Sequence, residues 1–148
     1  MLTLTEEQAE LFREPNFAVA TTLKADGTPQ TSVVWVDEEG GRPVFNTTKA
    51  RAKGRHLRRD PRVSVLVWQR SDPYRYIEVE GIAELDEDGA IAHIHKLSHK
   101  YRGTDFPPPE DRLIVPHQPQ PHSRLPRWTA TRRPFQGHID VEKRSTSS

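Results

Sequence analysis

The densest chemistry in the chain lies at residues 44–61, Val-Phe-Asn-Thr-Thr-Lys-Ala-Arg-Ala-Lys-Gly-Arg-His-Leu-Arg-Arg-Asp-Pro. An amide and two hydroxyls, Asn46, Thr47 and Thr48, run directly into the cations Lys49, Arg51, Lys53 and Arg55. The first part reads as the end of a strand and the second as the start of a short helix. Such a junction presents free backbone N–H groups and the positive end of the helix dipole. Arginine grips a phosphate bidentately and lysine adds a point charge. Thr47 and Thr48 supply short donors at the same place. The combination is what a phosphate or phosphodiester requires, namely several donors converging on one anion. The same run also suits a solvated helix face or a nucleic-acid backbone. The second alternative is the weaker, because the stretch is short and the formal net charge is only +1.

Other chemistries find little support. There is no cysteine, which removes disulfides, thiolate nucleophiles and thiolate metal sites. No Ser-His-Asp set or carboxylate pair stands out, so no catalytic side chain is assigned. His95 and His99 are four apart, with His93 nearby, but no ligand pattern of known type surrounds them. A surface helix is the expectation for these three and no metal is expected. Trp35 and Trp68 suit core or interface packing as well as contact with a ligand ring.

The elements that must hold the basic segment can be read from local pattern. Thr5 and Gln8 form a capping box for a helix over about 6–13. Residues 17–23 and 30–36 are apolar, β-branched runs separated by Asp26-Gly27, a strong hairpin signal. A turn at 37–42 leads to a third strand at 43–48, and the three strands read as a meander. A helix is expected from Lys49 to Asp60, with Ala50, Lys53 and Leu57 on one face and Pro61 as its stop. Residues 62–68 form the next strand. Residues 74–85 form a long one with Gly81 as a bulge, and residues 90–101 a second amphipathic helix. A proline-rich insertion at about 104–127, including His117 and His122, shows no period. Residues 128–132 suit a last strand, 134–137 a turn, and 142–148 a tail without order.

About six antiparallel strands with short flanking helices give a mainly β (α+β) domain over residues 1–141. A small barrel is the natural closure, since it removes exposed edges. Apolar residues make up 33% of the chain and charged residues 29%, a polar balance that a partner subunit would help to stabilise. No apolar stretch approaches membrane-span length, and the first residues show no secretory signal, so a cytoplasmic protein is expected.

The stretch Phe45–Val63, with its Arg-Ala-Lys-x-x-x-Leu-x-x-Asp-Pro-Arg pattern, resembles the flavin-phosphate segment of the pyridoxamine 5'-phosphate oxidase-like superfamily. It is most similar to the branch that uses the deazaflavin coenzyme F420. Residues 18–35, 76–85 and the Tyr101-Arg102-Gly103 triplet agree with that family. Together the resemblance covers roughly residues 5–106, with a weaker match at 128–137.

The resemblance implies an FMN-binding-like split β-barrel that forms a homodimer with two cofactor sites at the interface. It implies that Arg51 and Lys53 hold the cofactor phosphate, with Asn46, Thr47 and Thr48 beside it. Gln30, Thr31, Ser32 and Val33 match the strand that lies along the isoalloxazine-like ring, and Trp68 and Gln69 match positions that approach the cofactor. His56 falls where relatives carry a polar residue. The implied activity is an F420-dependent oxidoreductase passing a hydride between reduced deazaflavin and an unsaturated small molecule. An FMN-dependent oxidase or reductase of the same fold, or a non-enzymatic cofactor-binding protein, is the alternative. Neither nucleic acid nor membrane is an implied partner. The C-terminal arginine and histidine motif expected of true pyridoxamine phosphate oxidases is missing.

Overall fold

The computed structural model describes residues 2–107, 111–121 and 123. Within them the chain folds as α1 (Glu6–Arg13), β1 (Ala18–Leu23), β2 (Pro29–Val34), β3 (Val36–Glu39), β4 (Arg42–Thr48), α2 (Ala52–Arg59), β5 (Arg62–Gln69), β6 (Asp72–Ala83), α3 (Ala90–Arg102) and β7 (Arg112–Pro119). The seven strands pair antiparallel in the order β2-β1-β5-β6-β7-β4-β3. The fold is mainly β, a curled sheet of the split β-barrel type with three helices. The strand expected at 128–132, the turn at 134–137, the tail at 142–148 and His122 lie outside the described residues.

Local chemistry accounts for the first elements. Thr5 Oγ1 accepts from Gln8 N–H at 3.2 Å and Gln8 Oε1 accepts from Thr5 N–H at 2.9 Å, closing the capping box of α1. The buried face of α1, with Leu11 and Phe12, packs onto the barrel. β1 and β2 pair from Ala18↔Val34 to Leu23↔Pro29 around a turn containing Gly27, whose φ of +86° is one glycine adopts without strain. The core is an aliphatic fill of Val65, Val67, Ile77, Val79 and Val115, with Phe12 and Phe45.

Five expectations are corrected. First, residues 30–36 are not one strand. The chain breaks at Trp35, so β2 and β3 lie at opposite ends of the sheet and no three-strand meander forms. The apolar pattern runs through the break without interruption, which hides it. Second, the proline-rich segment contains a full strand. Residues 112–116 of β7 pair with β4, and residues 117–119 pair with β6. Pro116 sits at the hand-over between partners and Pro119 at the strand end, where a missing N–H is least costly. Third, Gly81 is not bulged. It pairs in register with Val63, and the irregularity falls at Trp68/Gln69 instead. Glycine is needed at 81 because a Cβ would meet the Gln118 carbonyl oxygen at 2.4 Å. Fourth, α2 begins at Ala52 with Arg51 as its N-cap, so Ala50 precedes the helix. Fifth, His93 is not on the surface: it is only 5% exposed.

Candidate functional site

Where β4 ends and α2 begins, the backbone is drawn tight. A Cβ at Gly54 would lie 2.1 Å from the Thr48 carbonyl oxygen, so only glycine lets the helix approach the strand so closely. Thr48 Oγ1 accepts from Arg51 N–H at 3.0 Å and fixes the turn into the helix. No side chain among the described residues caps the N-terminus of α2, which leaves its positive end available to an anion.

The basic run divides at this point. Lys49 pairs with Glu87. Arg55 donates to the Ala50 carbonyl, Arg58 to the Lys49 carbonyl and Arg59 to the Leu23 carbonyl. Arg51 and Lys53 are used differently. Both line a cavity of about 200 Å³ together with Asn46, Thr47 and Arg112. The rest of the lining is apolar and aromatic: Val33, Val34, Trp35, Ile94, Leu97 and Phe106. Trp35 stacks on Tyr101 at a centroid distance of 5.6 Å and meets Phe106 edge-on at 6.2 Å.

The electrostatics of the cavity are one-sided. Lys53 is partly buried and its Nζ donates to Ser32 Oγ at 2.8 Å. Burial pushes its pKa below the ordinary lysine value, with the Arg51 and Arg112 charges adding to the shift. The Arg112 pKa is lowered by burial and by Arg51. No carboxylate among the described residues lines the cavity. Thr47 belongs to the lining, but its Oγ1 is fully buried and without a hydrogen-bond partner among the described residues. An unpaired buried hydroxyl costs free energy unless something satisfies it. An anionic group in the cavity would balance the cations.

The expected site residues therefore separate. Val33, Asn46, Thr47, Arg51 and Lys53 meet at the cavity. Ser32 reaches it through Lys53 and Thr48 shapes the turn beside it. Gln30 and Thr31 lie on β2 away from the lining, with Thr31 bonded to Thr21. His56 is buried against Thr22, its Nδ1 2.8 Å from Thr22 Oγ1. Trp68 and Gln69 end β5 outside the lining, and the Trp68 ring lies 6.1 Å from Phe17. Sequence reasoning missed Arg112 and Phe106. Both belong to the segment read as irregular, and only the pairing of β7 with β4 brings Arg112 opposite Thr48.

A family profile described as pyridoxamine 5'-phosphate oxidase matches residues 4–126. The chain belongs to the pyridoxamine 5'-phosphate oxidase family. Among solved structures of this fold, an F420 reductase is 32% identical, with a TM-score of 0.70 over 79% of this chain and 96% of that one. A conserved hypothetical protein from Mycobacterium tuberculosis is 22% identical, with a TM-score of 0.64 over 90% and 96%. A heme-binding protein from Mycobacterium smegmatis is 23% identical, with a TM-score of 0.54 over 81% and 53%. The last two share the fold with this member of the family. No helix among the described residues is long and apolar enough to cross a membrane.

Proposed function

We propose that the chain is a cytoplasmic F420-dependent oxidoreductase that acts on an unsaturated small molecule. One observation carries the reading. A cavity with three cations and no carboxylate among the described residues is also lined by aromatic and aliphatic side chains. That is the donor set for a phosphorylated cofactor with a flat ring. The 32% identity to an F420 reductase favours the deazaflavin over FMN. Arg51 and Lys53 would hold the phosphoryl group, with Thr47 and Thr48 beside it, and Val33, Trp35 and Phe106 would border the ring. When bound, the cofactor would supply the hydride chemistry; the protein binds, orients and shields. A cavity of about 200 Å³ is smaller than the roughly 300–1,000 Å³ usual for such ligands. Val33, at its rim, is 67% exposed. Both features fit a homodimer in which a second copy completes the site.

Parallel titrations with F420 and FMN, followed by absorbance and fluorescence, test the reading. F420 should bind at least about ten-fold more tightly, a difference of roughly 1.4 kcal/mol. Reduced F420 should turn over against a panel of enones and quinones. Tighter binding of FMN would replace the deazaflavin with a flavin. Tight binding of F420 without turnover would leave a cofactor-binding protein.

A further inference from the structure

The two aromatic rings that line the cavity are held in different ways. Trp35 sits between β2 and β3, and its ring stacks on Tyr101 with the planes 7° apart. The Tyr101 hydroxyl donates to the Asn16 carbonyl at 2.7 Å and accepts from Val36 N–H at 3.2 Å. The backbone beside Trp35 is therefore pinned to the end of α3. Phe106 has no such frame. It lies beyond α3 and outside every helix and strand, yet its side chain lines the same cavity.

One face of α3 supplies what holds it. Gly103 ends the helix at φ +76°, with its N–H bonded to the Ser98 and His99 carbonyls. The chain then runs back along residues 95, 98 and 99, which share a helix face. Ser98 Oγ donates to the Thr104 carbonyl at 2.6 Å. His99 Nε2 meets Asp105 Oδ1. Phe106 N–H donates to His95 Nδ1 at 3.2 Å. The three ties are unequal. The His99–Asp105 pair is 56% and 77% exposed, so water screens it. Ser98 is fully buried, but its bond ends two residues short of the ring. The His95 bond reaches the residue that carries the ring. It is also chemically exacting, because Nδ1 accepts only when it bears no proton.

Phe106 touches both ends of the cavity. Its ring meets Trp35 edge-on at a centroid distance of 6.2 Å, and the Arg112 Cζ lies 5.2 Å from its centroid. A shift of this one ring would widen the space beside Trp35 and uncover a guanidinium. Arg51 and Lys53 stand at the start of α2, a separate element.

We propose that Phe106 is a specificity-determining wall that sets the width of the cavity for the ring of a bound ligand, and that His95 is the positioning residue that fixes where the wall stands. The inference rests on reading the cavity as the cofactor site, and it deepens that reading by assigning the fit of the ring to a clasp on α3.

Two measurements on the full chain test it. The first needs no ligand and follows quenching of tryptophan fluorescence by acrylamide. The protein has three tryptophans, so each variant is also made in a Trp35→Phe background, and the difference isolates Trp35. His95→Leu and Phe106→Ala should each raise the quenching of Trp35 by about two-fold, because an aromatic neighbour no longer shields it. His95→Asn, whose side-chain carbonyl replaces Nδ1 as acceptor, should match the wild type. The second measurement is binding. His95→Leu should weaken F420 or FMN by about three- to ten-fold and leave the affinity for inorganic phosphate unchanged, with His95→Asn restoring the loss. Unchanged Trp35 quenching in folded His95→Leu overturns the proposal. So does a His95→Asn that behaves as His95→Leu, since packing alone would then explain the effect. An equal loss of phosphate affinity overturns it too. If His95→Leu does not fold, His95→Gln takes its place, with an amide one methylene too far out to receive the Phe106 N–H. The expected quenching pattern with neither cofactor bound would support the clasp and defeat the proposed function. Cofactor binding insensitive to His95 would do the reverse.

Discussion

The two halves of the basic segment carry similar charge and use it differently. In the first half, Arg51 and Lys53 face a cavity with no carboxylate among its described lining residues. In the second, Arg55 and Arg58 are bound to the carbonyls of Ala50 and Lys49 and brace the loop that positions the first half. Charge density in the sequence is thus a poor guide to ligand contact. The useful question is which cations already have carbonyl or carboxylate acceptors; Lys53 has only the Ser32 hydroxyl. The second half fixes the shape of the turn, and the first half is left electrostatically unsatisfied.

The comparison breaks first, and most severely, if ligand binding does not depend on the free pair. Each charge-assisted hydrogen bond to a phosphoryl group is worth about 1.5–3 kcal/mol. Replacing both Arg51 and Lys53 with alanine should weaken cofactor binding by about 10²–10⁴-fold, with the unfolding midpoint nearly unchanged. Equal losses of affinity in Arg55→Ala would erase the distinction between the halves.

Gly54→Ala attacks the scaffold of both halves. Alanine favours helix by about 1 kcal/mol over glycine. Its Cβ, however, would meet a backbone carbonyl oxygen at 2.1 Å, and relieving that contact costs about 1–3 kcal/mol. The clash should win, because Thr48 also holds the turn into α2 and cannot yield alone. Urea unfolding should show net destabilisation together with weaker ligand binding.

Acid should act on the buried histidines, most strongly on His93 and His117. Burial depresses the pKa of His93 to about 4 and that of His117 to about 3. Both are therefore neutral in the fold while the unfolded chain protonates below its ordinary value of about 6.5. Their contribution is complete above about pH 6.5 and is lost as pH falls towards 4 and 3, at about 1.4 kcal/mol per pH unit for each histidine. His117 has no hydrogen-bond partner among the described residues. His117→Leu should therefore flatten the acid limb of a stability–pH curve at little cost near neutrality. An unchanged slope between pH 6 and 5 would contradict this assignment.

The smallest effect belongs to the exposed pair at the start of the segment. Lys49 and Glu87 have side chains 40% and 61% exposed, so screening reduces their pairing to about 0–1 kcal/mol. Lys49→Ala should shift the unfolding midpoint barely, and less than Arg58→Ala does.

Much of the frame was legible because its signals are local. The capping box placed α1, Asp26-Gly27 placed the first hairpin, and the strand-to-helix junction marked Thr47, Arg51 and Lys53. The failures share a cause in distance. The break at Trp35 depends on which strands β2 and β3 join, and the apolar pattern is the same either way. β7 was obscured by Pro116, tolerated where the strand changes partners, and by Pro119 at its end. Arg112 reaches the site through a register with Thr48 across 64 residues of chain. His93 is four residues from Leu97 on α3, and only the neighbouring Asn46 reveals why an imidazole is buried there.

The change of partner at Pro116 also governs when the protein can become competent. β7 is the sole strand bridging the β2-β1-β5-β6 sheet to the β4-β3 hairpin among the described residues. A nascent chain that has emerged only as far as α3 would hold two groups of strands not yet hydrogen-bonded to each other and two of the three cavity cations. Ligand affinity should therefore arise abruptly, late in synthesis, when one short stretch of backbone joins both edges and delivers the guanidinium in the same step.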